Sequence, residues 1–245
     1  MLLSLCTDQR QLDWLDSFAS NLASGFLGSF LTVLLIDRAL EQERKQETAR
    51  VRNIALAQLR PVLLGHLLLL TDWYKAASPE RPSHLPSTIP GIFSDDYYLQ
   101  IRFLDFSREA PVYPATDWFH YTAHQFESFR TQIWRVVDKY AVFLESESLE
   151  LLEGLANSAP INMIIQIANA NLPALDKKHN WRRTYNILYD DSIISEVQRH
   201  IGMIRSFLEY YNLAAPNPIE IGDLGLWREN TAPRFGSGRL REEGA

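Results

Sequence analysis

From Phe18 to Ile36 the chain runs nineteen residues, FASNLASGFLGSFLTVLLI, without one ionisable side chain. A helix of that length rises roughly 29 Å, close to the ~30 Å hydrocarbon core of a bilayer. Ten of the nineteen are Phe, Leu, Ile or Val, each contributing about −0.3 to −0.6 kcal/mol to insertion. A soluble core helix would interleave a polar stripe every three to four residues, whereas the polar members here are almost all small. The pattern predicts a transmembrane helix over 18–36. Before it stand Asp8, Asp13 and Asp16 against Arg10 alone, and it ends in Asp37-Arg38. A signal peptide would begin basic and close on a small-residue cleavage site, so the segment is expected to stay as an anchor. Arg38, Arg44, Lys45, Arg50, Arg52 and Arg60 follow it. Basic residues are retained inside, which predicts an outer N-terminus and a cytoplasmic C-terminal part.

Beyond the anchor the periodicity is helical. Residues 41–48, EQERKQET, are polar on every side and suit a solvated stalk over 37–60. Apolar positions return at Val51, Ala55, Leu59, Val62, Leu63, Leu67 and Leu70, a core-facing stripe. The run Val62–Leu70 is too short for a second span and contains His66, so it reads as a buried helix kinked at Pro61. Four prolines within 78–91 impose a loop. A helix is predicted over 94–109, capped by Ser94 and ended by Pro111 and Pro114. The longest soluble helix should start at Thr116 or Asp117, with Phe119, Thr122, Phe126, Phe129, Ile133, Val137, Tyr140 and Leu144 on one face. Shorter helices are expected near 148–156 and 161–170, and a stronger one over 193–212 through Ile193, Val197, Ile201, Ile204, Leu208 and Tyr211. Past Ala214 the chain turns to Pro, Gly and Arg. Residues 219–227 are candidates for docking, and the last eighteen read as disordered. The expected architecture is all-α: a segment over 1–17, a transmembrane helix 18–36, a helical stalk 37–60, a cytoplasmic bundle 61–213 and a tail 214–245.

Composition narrows the function classes. With 46% apolar and 22% charged residues in 245, the chain is no disordered polymer, and a mean hydropathy of −0.18 cannot supply a multi-span transporter. Cys6 is the only cysteine, which excludes a disulfide framework and cysteine-built zinc sites. A net charge of −6 argues against broad nucleic-acid binding. There is no P-loop, GxGxxG, HExxH, GxSxG or CxxC motif. No cofactor is expected, and a non-enzymatic protein is favoured.

Three residue groups could carry function. Ser20, Ser24, Gly28 and Thr32 recur every four residues, with Gly25 and Ser29 beside them. Such spacing lines one helix face with small side chains, where a second membrane helix, from another copy or another protein, can approach closely. Lys177, Lys178, Trp181, Arg182 and Arg183 form a basic cluster around one indole. It suits anionic lipid headgroups, or a solvated loop whose charges pair with Asp176, Asp190 and Asp191. His120 and His124 stand one turn apart, with Asp117 and Glu127 on the same face, and two imidazoles so spaced can share a metal. That face lies opposite the Phe126/Ile133/Val137 stripe, so a metal would need ligands from elsewhere. Trp14, beside the apolar run, fits an interfacial anchor.

Leu34-Leu35-Ile36-Asp37-Arg38-Ala39-Leu40-Glu41, then Leu104-Asp105-Phe106 before Ala110-Pro111, Trp118, Lys139-Tyr140 and Leu149–Leu155, resemble a recurring class of uncharacterised bacterial single-pass membrane proteins. The resemblance implies a bacterial inner-membrane protein with a cytoplasmic helical domain, and it brings no active-site residues. The expected function is a membrane-anchored, self-associating or partner-recruiting helical module. Alternatives are a ligand-responsive membrane effector or sensor of the stress or phage-defence type, and a metal-dependent hydrolase built on His120 and His124.

Overall fold

The computed structural model describes residues 3–170, 172–180, 185–225 and 235–240. It is all-α, about 76% helical. The chain divides into two units, 1–50 and 51–245, each described here by itself. Helix α1, Leu3–Ala77, contributes to both.

In the first unit every side chain described, from Trp14 to Arg50, is exposed apart from half-buried Ala49. Its apolar residues have nothing to cover them. The second unit is a bundle of α1 beyond Arg50 with α2 (Ile89–Ile92), α3 (Asp95–Ile101), α4 (Trp118–Tyr140), α5 (Ser146–Ala156), α6 (Ala159–Asn169), α7 (Leu172–His179) and α8 (Asp191–Ala214). Burial along α1 starts at Ala55, Leu56 and Leu59, inside the interval expected to be stalk, and continues through Leu63, Leu67, Leu70 and Trp73. Pro61 sits within the helix and removes the hydrogen bond to the carbonyl of Ala57, at an exposed position.

Asp117 starts α4 by accepting the His120 backbone N–H at 2.8 Å, which satisfies one of the four orphan donors of a helix N-terminus. The face drawn from the periodicity, Phe119 through Tyr140, is buried throughout. Asp190 caps α8 in the same way through Ser192 at 2.7 Å, and Val197, Ile201, Ile204, Leu208 and Tyr211 face the core. At the centre Trp73 donates its Nε1–H to Thr122 Oγ1 at 3.1 Å, so the indole is buried with its one donor satisfied.

Two segments depart from the expected pattern. The helix over 94–109 stops at Ile101, and Ser94 makes no side-chain cap bond. Leu104, in an isolated β-bridge, and Phe106, in the turn that follows, are both fully buried. The chain then pairs Glu109 with Asp117 and Ala110 with Thr116 in a two-strand hairpin, β1 (Glu109–Ala110) and β2 (Thr116–Asp117). Within the tail expected to be disordered, Phe235–Leu240 is docked. The Gly238 N–H donates to the Ala76 carbonyl at 3.0 Å, its carbonyl accepts from the Asp105 N–H at 2.8 Å, and the Leu240 N–H donates to the Phe103 carbonyl at 2.9 Å. Ile219 and Leu224 are buried as the docking expectation requires.

Candidate functional site

Among the described residues of the first unit lies an uncovered apolar belt. Phe26 is 71% exposed, Leu35 67% and Phe30 64%, although α1 is otherwise long and apolar enough to cross a membrane. Water-facing apolar surface on this scale is costly in a soluble protein. The small-residue face is equally open: a side chain at Gly25 or Gly28 would meet nothing within 4 Å. Thr32 and Ser24 turn their hydroxyls back to the carbonyls of Gly28 (2.8 Å) and Asn21 (3.0 Å). Their polar atoms are therefore satisfied inside the helix, as hydrocarbon requires. Ser20 and Ser29 share that exposure. Trp14 stacks on Phe18 with centroids 5.6 Å apart.

The basic cluster falls largely outside the described residues, which exclude Trp181, Arg182 and Arg183 and the side chain of Lys177; Lys178, in α7, is exposed. The acids near it have other contacts. Asp190 caps α8, Asp191 pairs with Arg102 at 2.6 Å, and Asp176 accepts from the Tyr185 hydroxyl.

His120 and His124 are exposed on the outer face of α4, as is Glu127. Asp117 holds Nδ1 of His120 at 2.8 Å and so orients its ring. Among the described residues no group of three or more His, Cys, Asp or Glu side chains is placed to hold a metal ion.

The fold instead brings together two histidines that sequence reasoning did not connect. His66 on α1 and His200 on α8 are both buried, their Nε2 atoms 2.7 Å apart. His66 stacks on Phe129 with centroids 3.8 Å apart and planes 18° from parallel. Nδ1 of each imidazole has no hydrogen-bond partner among the described residues. An orphaned buried polar group costs about 1–3 kcal/mol. Burial holds the His200 imidazole down at about 3. His66 is likewise held well below its ordinary range by burial and then by the neighbouring His200. Both rings are therefore neutral at pH 7. Two signals were present in the sequence: a lone histidine in an apolar run, and His200 on the same stripe as Val197 and Ile204.

The second unit also holds cavities and further titratable groups. A cavity of about 150 Å³ is lined by His66, Pro61, Gly65, Gln125, Ser128, Phe129 and Gln132, among others. Gln132 donates to the Ser128 hydroxyl oxygen at 2.7 Å, and Nδ1 of His66 makes no bond to that serine, so no nucleophile–base pair is assembled. A larger groove of about 430 Å³ lies under the proline-rich loop, where Tyr74 donates to Asp96 at 2.5 Å. Asp72 is mostly buried, and that burial pushes its carboxyl up to about 6 although Lys75 lies 3.5 Å away.

Comparison with known proteins finds no matching family model, no matching curated protein and no matching solved structure.

Proposed function

We propose that the protein is a membrane-anchored, self-associating helical module of the bacterial inner membrane without catalytic activity. Its N-terminus faces out, its bundle lies in the cytoplasm, and it recruits its partners there. One observation carries the reading: the apolar window of α1 is wholly uncovered, while the bundle buries its own apolar faces. Lipid is the solvent that suits such a belt. The basic residues after Ile36 support the orientation, and the open small-residue face supports packing against a second copy. The basic composition of Lys177, Lys178, Arg182 and Arg183 around Trp181 suits anionic headgroups.

The test has two arms on native membranes. Alkaline carbonate washing is expected to leave the chain in the pellet, and release of intact chain into the supernatant overturns the anchor. In mild detergent, Gly28→Ile is expected to convert the oligomer to monomer, and an unchanged oligomer distribution overturns self-association through this face. A ligand-responsive version of the module is favoured by the polar cavity beside His66.

A further inference from the structure

The groove under the proline-rich loop has the size of a small-molecule site. Its volume of about 430 Å³ falls within the ~300–1,000 Å³ of typical ligand pockets. Pro82 and Pro86 fix the backbone φ at two points of its wall, so less ordering is required when a ligand enters. A second cavity of about 220 Å³ adjoins it, and Tyr74, Pro82 and Asp96 line both.

One acid lines the groove, and it is held in place from beneath. Tyr74, 6% exposed, donates its hydroxyl proton to Oδ2 of Asp96 at 2.5 Å, and the Gln100 amide donates to Oδ1 at 3.3 Å. A carboxylate has about four lone-pair sites, so each oxygen keeps one for an occupant. Asp96 itself is exposed, which leaves those sites open to a ligand. Burial, then the bond to Asp96, pushes the Tyr74 hydroxyl above its ordinary range, so it stays the donor in that bond.

The rest of the lining selects the occupant. Among the described residues no Lys or Arg lines this groove, so an anion would meet Asp96 without a counter-charge. A metal ion needs several oxygen or nitrogen ligands, and among the described residues no group of three or more His, Cys, Asp or Glu is placed to hold one. Leu85, Pro86 and Ile92 bring carbon to the wall, and Ser94 brings a hydroxyl that makes no cap bond to α3. Glu80 and Arg81, of opposite charge, both line the neighbouring cavity, which therefore calls for no second cation.

We propose that this groove binds a small organic monocation: a primary ammonium on an apolar body the size of one aromatic ring. The ammonium donates to Asp96 and to the Ser94 hydroxyl, and the body lies against Leu85, Pro86 and Ile92. The site belongs to the second unit and is independent of what surrounds the apolar belt of the first.

Benzylamine is the probe, with benzyl alcohol as its uncharged isostere. The full chain in non-ionic detergent micelles is titrated with each while the backbone amide resonances of Thr88, Gly91 and Ile92 are followed. Benzylamine is expected to shift them saturably. Benzyl alcohol should bind at least about tenfold more weakly, because it forms no charge-assisted hydrogen bond. Asp96→Asn keeps the shape and an acceptor for Tyr74 but removes the charge, and should weaken benzylamine about tenfold or more. Glu80→Gln, on the neighbouring cavity alone, should change benzylamine binding by less than about threefold. Native near-UV dichroism checks the fold of each variant, and Asp96→Ala replaces Asp96→Asn if the latter does not fold. No saturable shift in the unaltered protein, equal binding of the alcohol, undiminished benzylamine binding in the Asp96 variant, or a loss confined to Glu80→Gln overturns the proposal.

Discussion

His66 and His200 share one proton between two nitrogens. With Nε2 atoms 2.7 Å apart and both rings neutral, one imidazole must carry its hydrogen on Nε2 and the other on Nδ1. The pair thus holds opposite tautomers, and α1 and α8 are joined across the core by a bond that acid destroys.

Stability should fall on mild acidification. An imidazole that resists protonation in the fold but titrates near 6.5 when unfolded favours unfolding as acid is added. That stability is complete above 6.5 and is lost as the pH falls toward the depressed native values. Asp72 acts oppositely: its carboxyl protonates at about 6 in the fold and at 3.8 when unfolded, so folding gains as the pH falls through that interval. Near pH 5 two histidines oppose one aspartate, a net uptake of about one proton on unfolding. Denaturation midpoints should therefore report stability falling as the pH drops below 6.5, and Asp72→Asn should make that fall steeper. A slope near zero in both proteins contradicts this.

The same pair should be strongly non-additive. His66→Leu leaves His200 with no partner at either nitrogen, and His200→Leu does the converse, each costing about 2 kcal/mol. The double substitution removes both orphans and should cost less than the sum by about 1–3 kcal/mol. Urea denaturation of the four proteins measures that coupling, and simple additivity would mean the contact contributes nothing.

Gly238 is fixed by space. A Cβ there would stand 2.8 Å from Leu104 Cδ1, 3.0 Å from Trp118 Nε1 and 3.1 Å from Ala76 Cβ. Gly238→Ala should cost about 1–3 kcal/mol. It should also speed hydrogen exchange at the Asp105 N–H, which donates to the Gly238 carbonyl. Unchanged exchange would show that the docked segment yields without cost.

The anchor should fail when charged. Its ten large apolar residues together supply about −3 to −6 kcal/mol of insertion free energy, whereas each arginine at a helix centre costs about 2.5–3.5. Leu27→Arg with Leu31→Arg should therefore move the chain out of the carbonate-resistant pellet. In the unaltered protein, Cys6 is the sole thiol. A membrane-impermeant maleimide added from outside should label it, and labelling only after the membrane is opened reverses the orientation.

What could be read from residues alone followed the length of the repeat. Helices α4 and α8 keep one apolar face for 23 and 24 residues, so their existence and buried faces were legible, although the Asp190 cap, ahead of the predicted start of α8 at Ile193, was not. The hairpin and the docked segment were not, because two-residue strands and a short extended stretch carry too little periodicity. Their order comes from backbone bonds to distant chain, as where Leu104 bridges Arg239. The histidine pair escaped for a related reason. Its members lie 134 residues apart, and nothing local to His66 announces a partner.

That bridge between Leu104 and Arg239 also orders events during synthesis. Until residue 240 has left the ribosome, the backbone at Phe103–Asp105 lacks its covering segment and the indole of Trp118 lacks the backbone that closes over it. A nascent bundle therefore stays incompletely sealed through translation of more than half its length.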